Sequence, residues 1–120
     1  MIDNRLKTIA EMVTRKGTLL DVGTDHGYLP IYLIKNDILE NAIASDVSKG
    51  SLAKAIEEVK KEKLTDKIQT RLGSGLRVIK TEDEIDTIVL AGMGGILISQ
   101  LIDEKLEYIR HNDVEIIVQP

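Results

Sequence analysis

Thr18-Leu19-Leu20-Asp21-Val22-Gly23-Thr24-Asp25-His26-Gly27-Tyr28-Leu29-Pro30 is the stretch that decides the fold. Its first five residues form a short apolar run that predicts a strand, and Gly23 to Gly27 predict a loop. A helical segment follows from Tyr28 to Lys35, with Pro30 in the first turn, where its missing N–H costs nothing. Upstream, Ile2, Leu6, Ile9, Ala10 and Val13 recur at helical spacing, and Gly17 is expected to end that helix. Downstream, Ala42 to Asp46 predict a second strand. Ser48 or Ser51 can cap a helix that carries Leu52, Ile56 and Val59 on one face.

The remaining strands differ in pattern, and the difference suggests where they lie. Ile68-Gln69-Thr70-Arg71-Leu72 alternates apolar and polar residues, as an edge strand does. Thr87-Ile88-Val89-Leu90-Ala91 is continuously apolar, as a central parallel strand is. Between them Leu76, Val78 and Ile79 predict a brief helical turn. After Gly95, Ile98, Leu101, Ile102 and Leu106 predict one further helix, and Val114 to Val118 a fifth strand. Strands separated by helices imply an α/β fold: a parallel sheet in the order 3-2-1-4-5 with helices on both faces. The fifth strand ends at Gln119-Pro120 with no covering helix. An uncovered apolar edge suggests the N-terminal part of a longer protein, the alternative being a strand that pairs with a second copy or a partner.

Composition narrows the function. The 120 residues suit one domain, and 42% apolar with 30% charged residues mark a globular chain. There is no cysteine, which removes disulfides, thiolate metal sites and cysteine nucleophiles; His26 and His111 are the only histidines, so a histidine-rich metal site is not expected. The net charge of −4 gives no global field for holding a polyanion. A local exception is the N-terminal segment, where Arg5, Lys7, Arg15 and Lys16 outnumber Asp3 and Glu11; it reads as a modest patch for RNA or as an ordinary solvated helix face. The longest uncharged stretch, Thr87 to Ile102, carries three glycines and is short for a bilayer span. A cytoplasmic location is expected.

In sheets of this kind ligands bind beyond the C-terminal strand ends. There the sequence places Asp21 to Gly27, then Asp46, then Gly73-Ser74-Gly75, then Ala91-Gly92-Met93-Gly94-Gly95. A dinucleotide loop needs a glycine where the backbone approaches a pyrophosphate. Here Asp25 takes that place and Asp21 lies just upstream, so the pair would repel phosphate. It suits a cation, and S-adenosylmethionine carries a sulfonium, an α-ammonium and a ribose diol with no phosphate. Asp46 follows Asp21 at about the interval at which such folds set a carboxylate against ribose hydroxyls, and the loop at Gly73 to Gly75 can wall the adenine. Against each assignment stands a plainer one: Asp21 and Asp25 as turn or cap residues, Asp46 as a helix initiator, Gly73 to Gly75 as a tight connection, His26 as scaffold and Tyr32 as packing. Three glycines in four residues at 92 to 95 weaken folding entropically, which makes sense where something approaches the backbone.

Four segments, Arg5 to Ala10, Asp21 to Leu33, Arg71 to Leu76 and Asp86 to Gly95, resemble the bacterial tRNA adenine-N1 methyltransferases that act on position 22. The Asp-His-x-Tyr-Leu-Pro and Ala-Gly-Met-Gly-Gly elements carry most of the likeness. The resemblance implies a Rossmann-like class I methyltransferase fold over residues 1–120, with further strands and a helical C-terminal domain beyond them. It implies S-adenosyl-L-methionine as cofactor, held by Asp21, Gly23, Thr24, Asp25, Gly27, Asp46, Val47, Gly73, Ser74, Gly75, Leu76, Ala91 and Gly92. Asp25, His26 and Tyr28 are then expected near the methionine end, with Gly92, Met93 and Gly94 flooring the pocket for the adenine. Ser74 stands where the family commonly has aspartate, Gly27 where alanine is usual, and Asp46 where glutamate is common. The implied tRNA contacts fall mainly to the further domain, with no membrane and no metal. The rival readings are a nucleotide-dependent oxidoreductase and a non-catalytic module that binds S-adenosylmethionine or a nucleotide in the same crevice.

Overall fold

A computed structural model describes residues 2–120. Five parallel strands, β1 (Thr18–Val22), β2 (Asn41–Asp46), β3 (Ile68–Leu72), β4 (Thr87–Ala91) and β5 (Glu115–Gln119), form one sheet in the order β3-β2-β1-β4-β5. This is the order the patterning implies. Central β1 pairs Asp21 with Ala44 of β2 on one side and with Val89 of β4 on the other. The sheet is covered on one face by α1 (Asn4–Glu11), α2 (Tyr28–Lys35) and α3 (Lys49–Lys61). On the other lie a single 3-10 turn (Gly75–Val78), α4 (Gly95–Glu104) and α5 (Leu106–His111).

Strand side chains alternate between two cores. Leu19, Ala42, Ala44, Val89 and Ile117 pack with Ile9 of α1 and Leu33 of α2. Leu20, Val22, Ile43, Ile88 and Leu90 pack with Leu76 and with Ile98 and Leu101 of α4. Asp21 shares the parity of Leu19, so its side chain lies on the α1–α2 face, near the C-terminal end of β1.

Two helices differ from expectation. Asp3 caps α1 by accepting the Leu6 N–H at 2.8 Å, and the helix ends at Glu11, well before Gly17. Val13 is buried all the same, because the segment after the helix runs down the same face. The β-branched Val13 and Thr14 are poor helix formers, and the segment lets Arg15 donate to the carbonyls of Asp86 and Asp113 at the foot of the sheet. The helix expected after Gly95 breaks at Lys105 (φ −126°, ψ 26°) into α4 and α5. The break lets the Tyr108 hydroxyl donate to the Asp83 carbonyl at 2.6 Å and buries Ile109. At α3 the cap is Ser48, whose Oγ accepts the Ser51 N–H at 3.2 Å.

One ion pair fixes the return from β3. Arg71 forms a two-pronged contact with Asp83, at 2.6 and 2.9 Å, and also donates to the Val78 carbonyl at 2.8 Å. Both side chains are nearly buried, at 12% and 10% exposure. Asp83 also accepts the Lys80 N–H at 2.7 Å, and the neighbouring guanidinium holds its carboxyl below the usual range. Among the described residues no helix is long and apolar enough to cross a membrane.

Candidate functional site

The C-terminal ends of β1 and β4, the loop after β1 and the start of α1 surround a cavity of about 220 Å³, and Asp46 at the end of β2 stands behind that loop without lining it. The cavity floor is Asp21, a carboxylate only 6% exposed. Burial is the main cause that raises its pKa from 3.8 to about 7. The Thr24 hydroxyl offsets this, the Asp46 carboxylate adds to it, and the Arg5 guanidinium pulls it back down. Thr24 Oγ1 is itself buried and has no well-formed hydrogen bond. A buried acid whose nearest side-chain partner is a poorly aligned hydroxyl is costly. The arrangement suits a cation or hydrogen-bond donor arriving from outside.

Asp46, at the end of β2, ties the loops together. Its Oδ2 accepts the Asp25 N–H and its Oδ1 the Ser48 N–H, each at 3.0 Å. The loop after β1 is locked further by the Gly23 and Thr24 N–H groups, which donate to the Ser45 carbonyl at 2.9 and 2.8 Å. Asp25 holds a left-handed conformation (φ 55°), as do Gly23 and Gly27 (both φ 73°). Glycine at position 27, where the resembling family usually has alanine, is the residue without a strain cost at such a φ. The helix after it, α2, has no side-chain cap at its N-terminus. His26 stacks on Tyr28, with ring centroids 5.0 Å apart, and its Nδ1 lies 3.3 Å from Asp25 Oδ2.

Of the residues singled out from sequence, Asp21, Gly23, Thr24, Asp25, His26, Tyr28 and Ala91 all line this one cavity. Met93 of the β4 loop does not line the cavity: it packs on the α4-side core, with its Cε 3.9 Å from where a Cβ on Gly23 would stand. Gly92 and Gly94 are exposed on the rim beside it. Gly27 is buried against Ala55, behind the loop. Val47 and the loop at Gly73 and Ser74 lie farther along the strand ends and do not line the cavity. Val47 is 72% exposed, and the Gly73 N–H donates to the Asp46 carbonyl at 3.0 Å. Gly75 presses against Leu101 of α4, and Leu76 is fully buried in the core. The expectation that Leu76 meets a ligand is therefore corrected for its side chain: the 3-10 turn aims it inward, and only its backbone is left for such a contact.

The basic N-terminal patch also needs correction. Arg15 is spent at the foot of the sheet on Asp86 and Asp113, and Lys16 pairs with Asp37 at 3.4 Å. Arg5 lies at the opposite end, lining the cavity with Asp3 and donating to Gln119 Oε1 at 3.3 Å. Lys7 alone stays on an open helix face. The four cations share no surface, because α1 and the extended segment after it run the height of the sheet. Sequence reading missed Arg5 as a cavity residue; the available signal was a cation on the apolar α1 stripe, beside Leu6. Among the described residues no three His, Cys, Asp or Glu side chains converge as a metal site.

The sequence pattern of a methyltransferase domain matches residues 2–120. The chain belongs to that family. Over 119 residues this methyltransferase domain is 36% identical to the tRNA (adenine(22)-N(1))-methyltransferase of Bacillus subtilis, covering 99% of the chain and 49% of that protein. A solved structure of Sp1610 from Streptococcus pneumoniae, a candidate tRNA (m1A22) methyltransferase in complex with S-adenosyl-L-methionine, is 40% identical. It superposes with a TM-score of 0.93 over 100% of the chain and 56% of its own. The structure of M. capricolum TrmK with S-adenosyl-homocysteine is 34% identical, with a TM-score of 0.81 over 86% of the chain and 46% of its own. The methyltransferase domain thus spans about half the length of the curated relatives it matches.

Proposed function

We propose that this domain is the cofactor-binding part of an enzyme that transfers a methyl group from S-adenosyl-L-methionine to N1 of adenine 22 in tRNA. The observation that carries the reading is the pair of buried acids, Asp21 and Asp46, on adjacent strand ends of a chain that superposes along its whole length on a relative solved with that cofactor. The residues fit the group. A buried carboxyl with a raised pKa, beside a Thr24 hydroxyl that makes no well-formed hydrogen bond, suits a cationic, hydrogen-bonding ligand. The left-handed Gly23 leaves the backbone free of a side chain at the cavity wall.

In this reading Asp21, Gly23, Thr24 and Ala91 hold the methionine side. Asp46 faces the ribose, Val47 with Gly73 and Ser74 bounds the adenine, and Asp25 orders the loop through its bond to Asp46. When bound, S-adenosylmethionine supplies an electrophilic methyl group. Adenine N1 presents a lone pair and needs no deprotonation before attack, so the task of His26, Tyr28 and Gly92 to Gly94 is to place that nitrogen and exclude water. N1 lies on the Watson–Crick edge, so a paired adenine must first leave its stack. The exposed glycines beside Met93 leave open space there: nothing lies within 4 Å of where a Cβ on Gly94 or Gly95 would stand. In this reading the protein works in the cytoplasm, with its tRNA.

The test is methyl transfer by the full protein to a tRNA transcript carrying adenine at position 22 and to one carrying guanine there. The reading predicts N1-methyladenine in the first and none in the second. Equal labelling of both, or no labelling of either with cofactor bound, contradicts it.

A further inference from the structure

The cations of the N-terminal segment are dispersed, and the basic surface of the molecule lies on α3. Residues 49–67 hold six lysines against four acids in a chain whose net charge is −4, so the rest of the molecule is the more acidic for it. Lys49, Lys54, Lys60, Lys61, Lys63 and Lys67 are all exposed, and among the described residues none of them makes an ion pair.

The helix sorts its charges. Leu52, Ala55 and Val59 are buried against the sheet. At about 100° per residue, Lys49, Lys54, Lys60 and Lys61 fall within one outward arc of about 140°, with Glu57 as the one acid among them. Glu58 and Glu62 stand on the flank toward α2, where they line a groove with Tyr32 and Lys35, and Lys35 takes up Glu62 in an ion pair. A helix face that serves only solubility intersperses its signs and pairs them along its length. Here the ammonium groups are left unopposed along 13 residues, about 20 Å of helix. Lys49 follows the end of β2, at the end of the sheet that carries the cavity, and Lys60 and Lys61 stand toward its foot.

Such a row suits the phosphates of a polyanion. An anionic membrane offers the same charge, but it holds a helix through apolar side chains inserted beside the basic face. None of the large apolar residues of α3 is exposed. We propose that the lysine face of α3 is a docking surface for the phosphate backbone of the RNA substrate. The assignment rests on the reading of the protein as a tRNA methyltransferase, and it moves the RNA contact from the N-terminal segment to α3. Contacts to phosphate position an RNA without reading its sequence. The lysines therefore act on RNA affinity and its salt dependence, and leave cofactor binding alone.

The experiment measures binding of a tRNA transcript to the full protein by fluorescence anisotropy between about 50 and 200 mM salt, with calorimetry of S-adenosylmethionine as the check on folding. One variant combines Lys54→Gln, Lys60→Gln and Lys61→Gln, and a second carries arginine at the same three positions. A control combines Lys80→Gln and Lys105→Gln, on the other face of the sheet. The glutamine variant should bind tRNA about 10- to 100-fold more weakly, with the slope of log K against log salt flatter by about two to three, and should keep wild-type cofactor affinity. The arginine variant and the control should bind tRNA as wild type does. A glutamine variant with wild-type affinity and slope, or a control that loses as much, overturns the assignment and leaves the methyltransferase reading intact. So does binding of wild type to phosphatidylserine vesicles that the glutamine variant loses while its tRNA binding stays. A wild type that binds no tRNA overturns both.

Discussion

Replacing Asp21 by asparagine should stabilise the protein and at the same time cripple it. The native carboxyl titrates near 7 against an ordinary 3.8. The native state therefore keeps its proton over a pH range in which the unfolded chain has lost it. Stability falls as pH rises through that window and levels off above it. A difference of about three pKa units corresponds to at most about 4 kcal/mol at pH 8, at about 1.4 kcal/mol per unit. Asparagine keeps the shape and removes the charge, but it leaves an amide that must find partners of its own. A net gain of about 1–3 kcal/mol at pH 8 follows, or a rise in Tm of about 5–10 °C. At pH 5, where the native carboxyl is protonated and the unfolded one is not, only about 1.5 of those 4 kcal/mol remain, so the gain should shrink by about 2–3 kcal/mol and vanish or reverse. Urea unfolding of both proteins at the two pH values measures this, and calorimetry should show S-adenosylmethionine binding weakened by about 10-fold or more. An asparagine variant that is less stable at pH 8, or whose difference from wild type is the same at both pH values, refutes the claim that Asp21 is held at a cost.

Other expectations are more local. Asp83→Asn leaves the Arg71 guanidinium nearly buried without its partner and should cost about 2–4 kcal/mol in urea unfolding. Because the Asp83 carboxyl is held below its ordinary value, its stabilising contribution is complete above about pH 4 and fades as pH falls through its native pKa, so the variant should lose the corresponding acid transition. Gly75→Ala sets a methyl against Leu101 at a left-handed φ of 53° and should lower Tm by several degrees in a thermal melt, about 1–3 kcal/mol. Ser48→Ala removes the cap of α3 and should cost about 1 kcal/mol with no change in cofactor affinity.

The sheet was legible because its signals are local. β1, β3 and β4 are short runs bounded by glycine or charge, and their ends fall where the patterning put them. The order followed from the contrast between alternating Ile68 to Leu72 and uniformly apolar Thr87 to Ala91. The failures are all long-range. Nothing near Arg15 announces that it must reach Asp86 and Asp113, so the early end of α1 was hidden. Nothing in the apolar spacing through Leu106 reveals that Tyr108 has a partner at Asp83, so the break at Lys105 was hidden too.

The candidate site shows the same division. Asp21, Asp25 and the glycines could be named from the loop itself. The contact between Arg5 and Gln119 spans 114 positions and depends on how α1 lies over the finished sheet. Leu76 marks the limit of such reading: a residue next to a glycine loop reads as a ligand contact, and only the 3-10 turn shows that its side chain points into the core and leaves its backbone for that contact.

The central claim is that a carboxyl buried at the end of the middle strand is ionised by the cation it receives. Calorimetry of S-adenosylmethionine binding at pH 6.5, repeated in buffers of different ionisation enthalpy, counts the protons exchanged. With the Asp21 carboxyl raised to about 7 and so largely protonated at that pH, net proton release on cofactor binding is predicted, together with its disappearance in Asp21→Asn. Binding with no proton release in the wild type would contradict the account.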